Sequence, residues 1–426
     1  MRARTAILST VLAALCGCKA WDSVPSTAVT DCNAQIVPGG AATDVLFVVD
    51  DSNSMREEQD ELAASLGTFI DQLLASPVKL DIHLGVTNTS VEDYNATPGT
   101  KYVRVGFPGV PGTPYPQGTL VAIAQLEPSG VGTAGQFLWG TAYDDPNHVT
   151  SVFGGPRILS SAALSGAELA RDFKANVLQG VWGASREQPL SAMKRALEKA
   201  AVGGTNLGFL RAGARLAVVI LTDEDDCSGP KDPTNVGDDV ACHGLPLDSG
   251  LLDSLDGFVD YLDTTVGNEP VVALIAGFDA NNAVSLCRGS AFGTTTSAFS
   301  VPNRLNELMN RLEGTHPGRT IKASICRSFG PTLLGIASQI IPQTMPLQQS
   351  PEDYRMMAVA IERSGSTIPC PMEPFGSPNA ANAGVIYNPA PPGGLPSLTF
   401  QDAAAGGPQC RLGLGDRVDL RIVCAR

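Results

Sequence analysis

The sequence predicts an α/β fold, a doubly wound and mainly parallel sheet with helices on both faces, followed by a small C-terminal β-rich domain. Continuous aliphatic runs, such as DVLFVVD at 44–50 and ARLAVVILTD at 214–223, are typical of strands buried on both faces of a sheet. Segments with apolar residues at helical spacing alternate with these runs, as expected for strand–helix–strand units. From about residue 346 the helical period disappears, and short strand-like runs lie between proline and glycine turns.

The α/β domain is expected to cover residues 43–345. Its strands are predicted, from their aliphatic and β-branched content, at 44–50, 79–89, 214–223, 270–278 and 320–326. Its helices are predicted, from apolar residues three and four positions apart, at 56–76, 190–201, 251–266, 301–314 and 330–341. Two insertions interrupt the alternation, one at 90 to about 165 that is rich in glycine, proline and threonine, and an acidic loop at 224–248. The β-rich domain at 346–426 has predicted strands at 355–362, 383–389, 397–403 and 417–425.

The N-terminus has the pattern of a bacterial export signal. Arg2 and Arg4 precede an apolar run that is too short to span a membrane, and small residues follow it. LCGC resembles the lipobox of bacterial lipoproteins, in which the cysteine, here Cys18, is lipidated after removal of residues 1–17. Lys19 is not the aspartate that favours inner-membrane retention, so we expect an outer-membrane lipoprotein, facing the periplasm or the exterior, with 18–42 as a tether. A plain secretory signal is the alternative.

The net charge and the cysteine content indicate which classes of partner and which cellular compartment to expect. The formal net charge of −14 argues against nucleic acid and anionic lipid as partners, which leaves the lipid anchor as the expected membrane contact. Of the ten cysteines, eight remain once Cys16 is removed with the signal and Cys18 is assigned to lipid. Eight cysteines suit four disulfides in an oxidising compartment. Cys227 and Cys242 lie within one loop and are expected to pair, whereas the pairing of the other six stays open.

Oxygen-bearing side chains follow two of the predicted strands. Asp50 ends the first strand, Ser52 and Ser54 lie in the turn after it, and Asp223 ends the strand ILTD. Because ligands bind outside the carboxyl ends of strands in an open parallel sheet, we expect these side chains to meet at one edge. Two carboxylates and two hydroxyls form an all-oxygen site suited to Mg²⁺, or to Ca²⁺ or Mn²⁺.

This pattern resembles the metal-ion-dependent adhesion site of von Willebrand factor type A domains. In that family Asp-x-Ser-x-Ser, a later threonine and a later aspartate hold one divalent cation. The resemblance implies that Asp50, Ser52, Ser54 and Asp223 are metal-site residues. The stretch VWGASREQPLSAMKRAL, which matches the position of the family's threonine, contains no threonine. Ser185 is the predicted substitute, with Glu187 as a rival oxygen ligand.

The resemblance implies binding rather than catalysis. A protein partner would offer a carboxylate to the cation, and the insertion at 90–165 would border the site and supply specificity. One alternative is an extracytoplasmic metal-assisted hydrolase with Glu187 or Glu224 as its general base. Another is a structural surface protein whose metal site has decayed. The absence of Ser–His or paired-histidine motifs from the sequence favours binding.

Simpler explanations exist for both acidic segments. The Asp-Asp-Ser-Asn-Ser run could merely cap the helix that follows it. The acidic loop could hold a second cation through Asp225, Asp226, Asp238 or Asp239, or could be a solvated loop beside the metal face.

Overall fold

The computed structural model describes residues 41–89, 123–128, 149–153, 156–178, 187–229, 242–266, 270–289, 296–347 and 350–422. Single positions within these ranges, at 53, 77, 79, 205, 248, 280, 285, 352, 393, 405 and 414, are not described. The export signal, the lipidation site Cys18, most of the tether and most of the first insertion lie outside the described residues. So do Ser185, Asp238 and Asp239.

A six-stranded, mainly parallel sheet forms the centre of the α/β part, as predicted. Its strands are β1 (Ala41–Val49), β2 (Leu80–Asn88), β5 (Leu159–Ser160), β6 (Arg215–Leu221), β7 (Val271–Ala276) and β10 (Thr320–Ser324). They lie in the order β10-β7-β6-β1-β2-β5, and only the short edge strand β5 is antiparallel to its neighbour. Two small hairpins accompany the sheet, β3 (Ile123–Pro128) with β4 (Val149–Phe153) and β8 (Arg288–Gly289) with β9 (Thr296–Ser297).

Helices cover both faces of this sheet. They are α1 (Arg56–Leu74), α2 (Gly166–Val177), α3 (Pro189–Glu198), α4 (Leu255–Asp260), α5 (Asn303–Thr315) and α6 (Phe329–Ile340). Val45, Phe47 and Val49 of β1 share a hydrophobic cluster with α1, α2 and α6. Leu46 and Val48 point to the opposite face, in a cluster with α3, α4 and α5. Alternate residues of one strand thus serve two cores, which explains the uninterrupted aliphatic run.

Two helices differ from the prediction. The helix expected from residue 251 begins at Leu255 and continues as a π-helical turn at Tyr261–Val266. Helix α2 was not predicted, although its sequence carries a start signal. Ser165 accepts a hydrogen bond from the Glu168 N–H, and the Glu168 carboxylate accepts one from the Ser165 N–H, which is a capping box.

The C-terminal part contains antiparallel-rich β-structure, as expected. One sheet has the order β11 (Thr344–Pro346), β16 (Ser397–Phe400), β15 (Val385–Asn388), β14 (Met372–Pro374). A second has the order β13 (Ser366–Pro369), β12 (Met357–Arg363), β17 (Arg417–Ile422). Their apolar residues form a third cluster that also includes Val78 and Ile341 from the α/β part.

Three disulfides join described cysteines, and one of them is the predicted Cys227–Cys242 pair. The other two are Cys287–Cys326 and Cys370–Cys410. Cys32 and Cys424 lie outside the described residues. Disulfides persist in oxidising compartments, so these pairs indicate an exported protein. Among the described helices, none has the length and apolar character needed to cross a membrane.

Candidate cation site

The carboxyl ends of β1 and β6 lie side by side at one edge of the sheet. The two strands pair in parallel with Val49 beside Leu221, and the Asp50 N–H donates to the Leu221 carbonyl at 2.9 Å. The strand order reverses between β1 and β6. From β1 the sheet continues through β2 to β5, and from β6 it continues in the opposite direction through β7 to β10. In open α/β sheets such a switch point opens a crevice that binds ligands. Asp50 and Asp223 both border that crevice.

Hydrogen bonds connect the polar side chains across the crevice. Asp50 Oδ1 accepts from the Ser52 N–H at 2.7 Å, and Asp50 Oδ2 accepts from the Thr222 hydroxyl at 2.6 Å. The hydroxyl oxygens of Ser52 and Ser54 lie 3.1 Å apart. The Ser54 hydroxyl donates to Asp223 Oδ1 at 3.0 Å, across 169 positions of sequence. The structure therefore brings together four of the five predicted site residues, and the fifth, Ser185, lies outside the described residues.

Helix capping does not explain this motif. The N-cap residue of α1 is Met55, whose side chain makes no capping hydrogen bond. The Ser54 side chain instead bonds to Asp223, and the Asp50 side chain bonds to Ser52 and Thr222. The capping hypothesis is therefore wrong for these residues.

Six carboxyl side chains are buried around the two strand ends: Asp50, Asp51, Glu58, Glu187, Asp223 and Glu224. Burial raises the pKa of Asp50 well above its ordinary value, and the charge of Asp223 raises it further. Burial and the charge of Glu58 raise the pKa of Asp223 to about 7. Burial likewise raises the pKa of Glu58 to about 7, with added effects from Glu57 and Asp50. For Asp50 and Asp223, the charge effects that raise the pKa thus come from other carboxylates, so this part of the protein carries an excess of buried acidic groups.

Glu187 lies directly before α3 and faces the same cluster. Its backbone carbonyl accepts from the Cys227 N–H at 2.8 Å, which ties its loop to the segment after β6. Its side chain is 0 % exposed, and its two carboxylate oxygens have no hydrogen-bond partner of ordinary length among the described residues. Burial raises its pKa well above the ordinary value, as do the charges of Asp50, Asp51 and Glu224, although the Thr89 hydroxyl lowers it. A buried carboxylate with so little hydrogen bonding is costly to ionise in the folded protein.

Three oxygens of the predicted site are connected by contacts of hydrogen-bond length. Ser52 Oγ and Ser54 Oγ are 3.1 Å apart, and Ser54 Oγ and Asp223 Oδ1 are 3.0 Å apart. Within the described part of the chain, no three His, Cys, Asp or Glu side chains are grouped as for a metal ion. The predicted site differs from such a group, because two of its four described ligands, Ser52 and Ser54, are hydroxyls.

Asp225 and Asp226 are neither solvated nor free to hold a second cation. Asp225 accepts from the backbone N–H groups of Arg304, at 3.1 and 2.9 Å, and of Leu305, at 3.0 Å, at the start of α5. Asp226 accepts from the Leu190 N–H at the start of α3, at 3.1 Å, and from Arg304 Nε at 2.8 Å. Both acidic-loop hypotheses are therefore wrong for these two residues, because they cap two helices and pair with a buried arginine.

Replacing Arg304 by methionine is expected to destabilise the protein by about 3 kcal/mol, because Asp226 is left buried with one partner fewer. Urea denaturation measures this change. In the matched control Arg355→Met, the exposed pair with Asp353 is removed, and we expect a change within about 0.5 kcal/mol. Equal stability of the two variants would contradict a structural role for the Arg304 pair.

Sequence reasoning missed several residues of the cluster. Asp51 is buried and accepts from the Thr89 hydroxyl at 3.4 Å, and Gln59 Nε2 donates to the Asp50 carbonyl at 2.8 Å. Glu58 occupies a position four residues before Leu62, which belongs to the buried stripe of α1. An acid within an apolar stripe was a signal available in the sequence, since such positions normally hold aliphatic residues.

No protein-family model matches the sequence, and no curated protein matches it either. Among solved structures, the chain is similar to the pilus adhesin SpaC from Lactobacillus rhamnosus GG in its open conformation, with 10% identity and a TM-score of 0.35. A second crystal structure of that adhesin gives 11% identity and the same TM-score. The similarity covers 90% of this chain and 39% or 40% of the adhesin, so the chain spans about two-fifths of the adhesin's length. TM-scores this low support no conclusion about fold or function.

Proposed function

We propose that residues 43–345 form a von Willebrand factor type A domain that binds a partner protein through a divalent cation, and that residues 346–426 form a separate β-rich domain. The strand order β5-β2-β1-β6-β7-β10, with helices on both faces, supports the doubly wound arrangement that the resemblance implies. The Asp50-x-Ser52-x-Ser54 motif follows β1, one of the two strands that form the switch point.

The proposed cation is Mg²⁺, with Ca²⁺ or Mn²⁺ as substitutes. Asp50, Ser52, Ser54 and Asp223 would hold it, and Ser185 or Glu187 would complete the protein's share of the shell. The observation that carries this proposal is the hydrogen bond from the Ser54 hydroxyl to Asp223 Oδ1 at 3.0 Å, because it joins the turn after β1 to the end of β6 at the switch point of the sheet. When bound, the cation supplies the positive charge that the buried carboxylates lack, and an open position for an oxygen from a partner.

The proposed partner is a protein that offers a carboxylate. Ser54 is exposed whereas Asp50 is fully buried, so the site is open to solvent on the side of Ser54. The net charge of −14 repels acidic groups from most of the surface. An acidic group would therefore dock only where a cation reverses the local charge, and this would make binding specific.

The proposed location is the outer membrane, with the chain anchored through lipid on Cys18. The disulfides among described residues support export, and the N-terminal pattern supports the anchor. A binding role is favoured over the hydrolase alternative because the sequence has no Ser–His or paired-histidine motif.

Calorimetric titration of Mg²⁺, Mn²⁺ and Ca²⁺ into the exported chain tests the proposal. We expect saturable binding of one cation, strongest for Mg²⁺ or Mn²⁺. Ser54→Ala should weaken it about tenfold, and Asp223→Asn should weaken it more because a charge is also lost. The control Ser65→Ala removes a hydroxyl of α1 that donates to Glu61, and it should leave the affinity unchanged.

Capture of partner proteins from cell envelopes, with and without a chelator, extends the same test. Partner binding should be lost in the chelator and in Ser54→Ala, and retained in Ser65→Ala. A wild-type chain that binds no cation, or a Ser54→Ala chain that binds as well as Ser65→Ala, would refute the cation site. Partner capture that survives chelation would refute its role in recognition.

A further inference from the structure

A second concave site lies at the opposite end of the sheet. A cleft of about 660 Å³ is bordered by the residues that start β6 and β10, by the link between α6 and β11, and by Arg411. Since Arg215 precedes Asp223 by eight residues of largely extended chain, the cleft lies about 25 Å along the strand from Asp223. It is therefore separate from the candidate cation site, and it joins the α/β part to the C-terminal sheets.

Arginine dominates the lining of this cleft. Arg215, Arg319 and Arg411 are three of its eight lining residues, and none of the eight is acidic. Three arginines thus line one cleft of a chain whose net charge is −14, which makes the cleft attractive to anions.

Arg215 has a buried hydrogen-bond donor without an acceptor among the described residues. This donor is its Nε, and its Nη1 reaches the Ile341 carbonyl only at 3.5 Å. Burial, together with the charges of Arg319 and Arg411, lowers the pKa of Arg215 to about 10. Burial and the charge of Arg411 also lower the pKa of Arg319. The arginines repel one another, and an anion placed between them would reverse that repulsion.

We propose that this cleft binds a small ligand carrying two or more phosphate or carboxylate groups. Guanidinium groups bind both kinds of oxyanion in a bidentate manner, and a volume of 660 Å³ lies in the range of small-molecule sites. Gln343 shapes one wall, because its side chain donates to the carbonyls of Ile341 and Leu412 at 3.1 Å and accepts from the Leu412 N–H at 2.7 Å. The site is formed without any contribution from the proposed cation.

Thermal unfolding of the metal-free chain with inorganic pyrophosphate, citrate or inorganic phosphate tests this inference. Metal-free protein is required because pyrophosphate and citrate also bind divalent cations. Sodium chloride of equal ionic strength is the reference, so that general screening is removed. We expect pyrophosphate or citrate to raise Tm in a saturable manner, with inorganic phosphate weaker. The stronger of the two identifies whether phosphate or carboxylate is preferred.

Arginine variants locate the site. Arg411→Gln, at an exposed position, and Arg319→Gln should each weaken pyrophosphate or citrate binding about tenfold. The control Arg355→Gln removes the same charge from an exposed position outside the cleft and should bind as the wild type does. The proposal fails if no saturable shift occurs up to about 10 mM ligand. It also fails if Arg411→Gln and Arg355→Gln respond alike.

Discussion

Asp50→Asn is expected to weaken Mg²⁺ binding by about 100-fold or more and, at the same time, to stabilise the metal-free protein at pH 8. The loss of affinity follows from removal of a charged ligand at the centre of the proposed site. The gain in stability follows from the removal of a buried charge. Burial and the charge of Asp223 raise the pKa of Asp50 well above its ordinary value. Its ionised form is therefore a cost to the folded state whenever no cation is bound.

Asparagine has nearly the shape of aspartate, so local geometry should survive. Its Oδ1 still accepts from the Ser52 N–H, and the Thr222 hydroxyl can turn to donate to the Glu224 carbonyl, which lies at 3.3 Å. We expect the free energy of unfolding of the metal-free variant to rise by about 1–3 kcal/mol. Urea denaturation in chelator measures the stability, and calorimetry measures the cation affinity.

Asp44→Asn is a matched control, because Asp44 lies in β1, the strand that Asp50 directly follows. Burial raises the pKa of Asp44 as well, but its carboxylate pairs with Arg211 at 2.7 Å and accepts from the Arg211 backbone N–H at 2.8 Å, and these contacts lower that pKa. Asparagine would remove the buried negative charge that faces Arg211. The same substitution should therefore destabilise the protein by about 3 kcal/mol and leave Mg²⁺ affinity unchanged. If Asp50→Asn destabilised as Asp44→Asn does and retained Mg²⁺ affinity, Asp50 would be a structural residue.

Much of the α/β part follows from local sequence patterns. The runs that became β1, β6 and β7 are apolar throughout, because each serves cores on both faces of the sheet. Helix α1 has a long apolar stripe and was predicted almost to its ends. Helix α4 was less predictable, since its apolar period extends into a preceding turn in which the Leu252 N–H donates to the Ser249 carbonyl. The pairing of strands far apart in sequence, such as β1 with β6, depends on tertiary packing rather than on local pattern.

The candidate site was partly predictable for the same reason. Asp50 and Asp223 follow strands whose carboxyl ends must lie at one edge if the strands are parallel. The roles of Asp225 and Asp226 were not predictable, because an acidic loop looks the same whether its carboxylates face water or cap distant helices. The buried side chain of Arg304 decides the matter, and it comes from a segment 78 positions from Asp226.

The stability of the metal-free protein is expected to fall as the pH rises from 5 to 8. Burial raises the pKa of both Glu58 and Asp223 to about 7 in the folded state, whereas both ionise near pH 4 in the unfolded chain. The folded state therefore holds these protons more tightly, so its advantage is greatest at low pH and is lost as pH rises through about 7. For Glu58 alone the loss between pH 5 and pH 8 is about 2–3 kcal/mol. Chemical denaturation at several pH values in chelator measures it.

Glu58→Gln separates this effect from all other titrations. The variant removes the Glu58 titration, so its stability relative to the wild type should grow by about 2–3 kcal/mol between pH 5 and pH 8. Saturating Mg²⁺ should restore wild-type stability chiefly at pH 8, because protons compete with the cation for Asp223 at pH 5. Glu61→Gln, one turn along α1, is the control and should show no such growth. A constant difference between Glu58→Gln and wild type at every pH would mean that Glu58 does not titrate in this range. A Mg²⁺ effect of equal size at pH 5 and pH 8 would place the cation away from Asp223.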